Sequence, residues 1–401
     1  MASPVDTSVK FVTENMPGAP TLNGTAGTLI SVLDALLVTG FGLRTATTVT
    51  VAGGVATVTL SSDAKNPNLL HSVILVDGVA APMGDLNGEQ RVTAASTTTL
   101  QFATAVADGT ATGTITVKSA PAGWEKLYSG TNKAVYRSTH VQSAKHCLRV
   151  DDTGTMSARV VGYETMTDVD TGVGPFPTAA QMSGGGYWWK SIDATATARG
   201  YFFAADPRML LAAPRASGVG AALSANVRGF GDPIALAPSG DAWATVVSYA
   251  GSNNSSGFEY GAFSGATAAS ATIGGAAFPR ASSGLGTAVL CRPVNEAGEP
   301  YQLSGRHAAG LGPGPSSIDG QIKLARAMMA EQTVYSAPRC VIPGVFCVPQ
   351  LVADGTFSPN AVIDGSGALA GRKLLSVTTS TAASAASNMG AVFIDITGPW
   401  R

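Results

Sequence analysis

Acidic and nucleophilic side chains are the first place to look for chemistry, and here they are sparse. The densest carboxylates are Asp151-Asp152, in LRVDDTG, and Asp168 with Asp170, in MTDVDTG. Two carboxylates facing one cleft are the minimum for glycoside hydrolysis. Each of these pairs follows a strand-like run and precedes turn residues, where Asp most often accepts backbone N–H bonds. Asp168-x-Asp170-x-Gly172 has the opening of a calcium loop, but the glycine comes one place early and no Glu follows at the twelfth position.

Nucleophilic catalysis has as little to work with. The histidines His71, His140, His146 and His307 are dispersed, and no G-x-S-x-G elbow occurs. His146 and Cys147 are adjacent, so in a strand they point to opposite faces. Cys147, Cys291, Cys340 and Cys347 lack C-x-x-C spacing and a nearby His cluster, which predicts free thiols rather than a zinc site. The glycine-rich Gly310–Gly314 segment (GLGPG) has neither the flanking strand and helix nor the Lys-Ser/Thr of a phosphate loop. These patterns predict no catalytic residue, no metal and no cofactor. The chain reads as a non-enzyme.

Ser183–Trp189 (SGGGYWW) is different, because a flexible run leads into three adjacent aromatics. Tyr187, Trp188 and Trp189 suit core packing, an interface anchor or a sugar-stacking surface. A second apolar concentration lies at 27–39, where Leu29, Ile30, Leu33, Leu36 and Leu37 recur at helical spacing. Thr25 or Thr28 can cap this helix at its start and Gly40 can end it. Its one charge is Asp34, so it must be buried, in this chain or against a neighbour. Leu29, Leu33, Leu36, Leu37, Tyr187, Trp188 and Trp189 are therefore the candidate interface residues.

The elements that would position these groups are mostly strands. The chain has 401 residues, of which 45% are hydrophobic and only 13% charged, with 48 glycines. Such a composition opposes disorder. Net charge is −1 and no basic run occurs, which argues against nucleic-acid binding. No apolar run is long enough to span a membrane, and the N-terminal residues lack the apolar stretch of a secretory signal. We therefore expect a product made and used in the cytoplasm, and its sparsely charged surface invites association.

Thr47–Leu60 is the clearest local signal: alternating β-branched arms flank Gly53-Gly54, the signature of a two-residue hairpin turn. Short strand-like runs continue to residue 119 with Gly, Asn or Asp between them, and predict an immunoglobulin-like antiparallel β-sandwich. Pro121–Trp124 marks a junction. Beyond it, strands are expected at Ala134–Arg137, Cys147–Val150, Ser157–Tyr163, Ala244–Tyr249, Ala288–Cys291 and Ala391–Ile396. Gly251–Gly275 and Ala212–Ala225 are expected as long ornamented loops, Gln321–Glu331 as a short helix and Ser380–Ser387 as a low-complexity loop. The predicted fold is thus mainly β, with one N-terminal helix. A docking segment occupies 1–44, an Ig-like β-sandwich 45–119, and a β-rich body with elaborated loops 120–401.

Several segments together resemble virion structural proteins of tailed bacteriophages. They are Val9–Phe11, Gly18–Pro20 and Gly24–Gly27 leading into TLISVLDALLVTGFGL; GWEKLYSGTNKAVYRS (Gly123–Ser138); LRVDDTG (Leu148–Gly154); RVVGYETMTDVDTGVGPFPT (Arg159–Thr178); GALAGRKLL (Gly367–Leu375); and FIDITGPWR (Phe393–Arg401). The resemblance runs from end to end, apart from about 212–290. It implies an architectural role and a place in the virion, with no catalytic residues to carry over. The expected partners are further copies of the chain, as a symmetric oligomer, and other virion proteins of the tail, collar or baseplate. A capsid decoration or head-fibre protein is the close alternative. A host surface glycan is the expected ligand only in the third reading, a receptor-binding protein.

Overall fold

The computed structural model describes residues 3–218, 225–238, 240–253, 263, 274–295, 318, 320–332, 337–348, 357–358, 360–379 and 390–401. His307, the Gly310–Gly314 segment and Ser380–Ser387 lie outside the described residues, as do Phe258 and Tyr260 of the expected 251–275 loop.

The Thr47–Leu60 hairpin forms as its sequence dictates. Strands Thr48–Ala52 and Val55–Thr59 pair antiparallel from Thr48↔Thr59 to Ala52↔Val55. Gly53 (φ 56°) and Gly54 (φ 79°) supply the positive φ angles of the turn. Val49, Val51 and Val58 are buried while Thr48, Thr50 and Ala52 are exposed, the period-2 pattern of a half-buried sheet. This hairpin sits in a five-stranded sheet, in the order Ala94–Ala95, Thr99–Ala103, Val55–Thr59, Thr48–Ala52, Gly109–Thr110. A four-stranded sheet, in the order Phe41–Thr45, Thr116–Ser119, Val73–Asp77, Gly88–Arg91, completes the sandwich. Its first strand begins at Phe41, slightly ahead of the expected boundary.

The body is mainly β, as expected. Among the described residues it is one antiparallel network of 19 strands. The hairpin Trp124–Gly130/Lys133–Ser138 leads through Cys147–Asp151 into the long strand Ser157–Met166. Gly172–Phe176 pairs with the C-terminal half of that strand and Gly186–Trp189 with its N-terminal half. From Gly200–Ala205 onward, neighbours in sequence are mostly neighbours in the sheet.

Three sequence expectations are corrected. Gln321–Glu331 is not a helix. Ala325–Glu331 is a strand between Val289–Asn295 and Pro338–Cys347, with Ala325, Ala327 and Met329 buried and Arg326 exposed. Helix-forming residues here yield to ladder pairing on both sides, since propensity is a weak prior. The supposed loops Ala212–Ala225 and Gly251–Gly275 give up residues to the strands Met209–Arg215 and Gly274–Phe278. Met209–Arg215 is buried throughout, and a strand covered on both faces has no polar alternation to betray it.

The helix is the third correction. It is α-helical over Thr28–Asp34, continues as a wider π-type turn over Ala35–Thr39, and ends at Gly40 (φ 68°). Leu29, Leu33, Leu36 and Leu37 are all buried in the chain's own core, so its apolar face is spent internally rather than on a neighbouring subunit. Neither Thr25 nor Thr28 caps it. Gly27 holds the cap position without a side-chain bond, and the exposed helical N–H groups are taken by Asp152, far along the chain. Further along, Asp34 accepts from Lys126 (2.6 Å) and Tyr136 (2.7 Å).

The sandwich is tied to the body just as firmly. The Arg91 guanidinium, buried, donates to the carbonyls of Asp6, His71, Ile396, Val9 and Thr397. Lys10 pairs with Glu89 at 2.8 Å across the same junction. Strand Lys10–Thr13, before the helix, adds to the body beside Gly200–Ala205. The chain therefore crosses from body to sandwich and back, sharing one continuous apolar core.

Candidate functional site

A cleft of about 670 Å³ opens where five separated stretches meet: Val141–Ala144 with His146, Arg208, Asp232–Ala235, Gly240–Thr245 and Arg401. Its size falls within the range of ligand pockets. Strand geometry explains the meeting. His146 stands just before Cys147–Asp151 and Thr245 just before Val246–Ala250, so each occupies the start of its strand. Asp232 follows the end of Arg228–Gly231, where the sheet turns back.

A hydrogen-bonded chain lines the floor. Thr245 Oγ1 donates to Asp232 Oδ1 at 2.6 Å and lies 2.7 Å from His146 Nδ1. The hydroxyl has one proton and gives it to the carboxylate, so His146 must donate from Nδ1. The neutral imidazole then presents Nε2 as an acceptor. Burial pushes the His146 pKa below its ordinary value, and Asp232 and Glu164 offset this only in part. The ring stacks with Trp243 (centroids 5.8 Å) and meets Phe176 edge-on (5.9 Å). Arg280 also sits over Trp243, at 4.2 Å, while pairing with Glu164 through two 2.7 Å bonds. Trp243 and His146 are thereby held in fixed orientations.

Two arginines flank the floor. Arg401 grips Asp206 with Nε (3.0 Å) and Nη2 (3.1 Å) and donates from Nη1 to the Asp232 carbonyl at 2.7 Å. Arg208 is held loosely, its guanidinium reaching the Gln142 carbonyl at 3.5 Å. Its pKa is lowered first by burial and then by the like charge of Arg401. On the other side, Asp241 Oδ2 takes two bonds from Arg339, at 2.9 and 2.7 Å, and Oδ1 accepts the Trp243 N–H at 3.0 Å.

The cleft thus holds two carboxylates, Asp232 and Asp241, an imidazole and an aromatic wall. Both carboxylates already accept structural bonds from the protein. Their remaining lone pairs suit binding hydroxyl groups better than acid–base work, which needs a group free to gain and lose a proton.

The residues singled out from sequence go elsewhere. Asp168 closes a turn, accepting the N–H groups of Asp170 and Thr171. Asp170 pairs with Lys133 (2.9 Å) and Arg149 (2.5 Å). Asp151 accepts from Thr153, and Asp152 holds the distant helix. Trp188 and Trp189 are each 2% exposed, one in the main core and one in a small cluster with Ala216 and Ala250. Their indole N–H groups donate to the carbonyls of Ser248 and Ser252. Tyr187 is half-buried beneath Arg159, 3.8 Å from the ring centre, and has the most outward position of the seven candidate interface residues. The four cysteines are free and buried, and burial raises their thiol pKa values, which makes them poor nucleophiles.

Sequence reading singled out His146 but not the cleft it lines. No local signal announces it, because its members come from five separated stretches between residues 141 and 401. Among the described residues no group of His, Cys, Asp and Glu has a metal-binding arrangement, and no helix is long and apolar enough to cross a membrane.

Fold and cleft together define a mainly antiparallel β protein with a sandwich fused to a larger sheet body that carries a ligand-sized cleft of mixed polar and apolar lining. Compared with known proteins, the chain matches no family model, and no curated protein is similar to it at a significant level.

Proposed function

We propose that this protein is a structural subunit of a tailed-phage virion, assembling as a symmetric oligomer in the tail, collar or baseplate region. One observation carries the reading: several of the segments that resemble phage virion proteins supply contacts that hold the frame together. LRVDDTG contains Asp152, which holds the helix. GWEKLYSGTNKAVYRS supplies the hairpin Trp124–Ser138 with the Asp34 partners Lys126 and Tyr136. FIDITGPWR contributes the end of the strand Gly390–Asp395 and the carbonyls of Ile396 and Thr397 that receive Arg91. A resemblance that includes such frame contacts concerns architecture, and architecture is the role it implies.

With its leucine helix and Trp188-Trp189 committed to the interior, the chain would meet its neighbours through other surface. A capsid decoration or head-fibre role uses the same parts. The experiment is twofold: mass measurement of the purified chain in solution across concentrations, and immunogold labelling of particles from the phage that encodes it. We expect a discrete oligomer and label at one particle location. A chain that stays monomeric and leaves particles unlabelled would overturn the reading.

A further inference from the structure

We propose that the cleft bounded by His146, Asp232, Trp243, Arg208 and Arg401 is a binding site for a polyhydroxylated ligand, a saccharide of a few sugar units. The inference goes beyond an architectural role and does not depend on it.

The site's chemistry selects the class. Hydroxyl groups both donate and accept, so a sugar needs acceptors and donors side by side in one concavity. Acceptors are in place. His146 Nε2 has no partner among the described residues while Nδ1 is fixed on Thr245. Among the described residues Asp232 takes one bond on each oxygen, from Thr245 and from the Ala144 N–H (2.9 Å), and each oxygen has a second lone pair to offer. The donor is Arg208, whose fork is engaged among the described residues by a single long bond. Pro233 and Ile234 supply an apolar wall for the C–H face of a pyranose, beside a Trp243 ring that His146 and Arg280 already cover.

Charge argues against a small anion as the ligand. Arg208 and Arg401 face Asp206 and Asp232, and Asp241 is matched by Arg339, so the cleft carries no surplus cation to pair with one. The prepositioned ring is a further point: Trp243, Phe176 and Thr245 hold His146 before any ligand arrives, which lowers the ordering cost of binding.

The test is a glycan array of neutral and acidic bacterial and animal oligosaccharides, probed with the full-length chain, followed by calorimetry with the best binder. Arg208→Gln should weaken binding about tenfold, the loss of one charge-assisted hydrogen bond. Ala144→Trp, which places a bulky side chain at an exposed position of the cleft lining, should abolish it. Both variants should keep the parent melting temperature. Calorimetry with acetate and inorganic phosphate runs alongside. Silence across the array overturns the proposal, as does saccharide binding indifferent to both variants. Binding of phosphate or acetate alone, sensitive to Arg208→Gln, would replace it with an anion site.

Discussion

Asp152 holds Lys190 in a fully buried ion pair, and the same carboxylate fastens the start of a helix 123 positions away in sequence. Oδ1 takes the Lys190 amine, while Oδ2 accepts the N–H groups of Leu29 (2.8 Å) and Ile30 (3.3 Å). Lys190 also donates to the Thr25 carbonyl at 2.7 Å. Burial pushes the carboxyl pKa up and the amine pKa down, and mutual attraction offsets part of each shift. One side-chain pair thus joins the N-terminal segment to two strands of the body.

Breaking this pair should cost far more than replacing it. Asp152→Ala leaves a buried ammonium and open helix N–H groups, and should lower stability by about 3–5 kcal/mol. Lys190→Met alone should be comparable. The double variant Asp152→Asn/Lys190→Met keeps an acceptor for the helix and removes both charges, so it should recover much of the loss. With Asp152→Asn alone as the matching single variant, a double-mutant cycle in urea unfolding measures the coupling. Strictly additive losses would show that the two residues act separately.

Removal of residues 1–39 should prevent folding rather than merely block assembly. It takes a strand from the sheet and exposes the surface that covers Leu29, Ile30, Leu33, Leu36 and Leu37. The burial lost is worth on the order of 10 kcal/mol, comparable to the whole stability of a domain. Near-ultraviolet circular dichroism and limited proteolysis of the truncated chain decide the matter. A truncated chain with native-like spectra and protease resistance would show that the helix is dispensable.

Arg91→Lys should destabilise the junction between sandwich and body despite keeping the charge. Arg91 serves five carbonyls, and an ammonium has only three donors. At least two buried acceptors lose their partner, at about 1–3 kcal/mol each. The expected result is a lower urea midpoint, with hydrogen exchange speeding up first near Gly88–Arg91 and Gly390–Asp395. Unchanged exchange at those strands would assign the junction's strength elsewhere.

Acidification should weaken the fold through His146 and His71. Burial lowers both pKa values, and for His71 the charges of Lys373 and Arg91 add to the effect. A base with a lowered native pKa binds more protons unfolded than folded. Its contribution is therefore complete above the unfolded value, about 6.5, and is lost as pH falls from there through the native pKa. The slope is at most about 1.4 kcal/mol per pH unit for each histidine. His146 faces Asp232, Glu164 and Arg280, and the carboxylates soften the effect without reversing it. Urea midpoints between about pH 7 and pH 5 should fall for the parent and fall less for His146→Gln. Equal slopes would clear His146 of any part.

The mainly β class was legible in the sequence because period 2 survives wherever a strand keeps one wet face. The Thr48–Thr59 hairpin is the plainest case, since its turn needs only Gly53 and Gly54 and its arms pair with each other. The existence and end of the helix were equally local, set by leucine spacing and by Gly40. Strands such as Met209–Arg215 left no such trace, because both faces are covered and no polar alternation marks them. The sequence by itself determined periodicity, turn chemistry and the need to bury an apolar helix.

Tertiary structure alone decided where that helix is buried, which carboxylate caps it, and that Trp188 and Trp189 face inward. It also made the cleft, where His146, Thr245, Asp232, Arg208 and Arg401 meet from stretches spread over more than half of the chain. The physical reason is common to all of these. Capping, ion pairing and ligand binding are interactions through space between side chains, and sequence patterns record only what neighbours along the chain impose on one another.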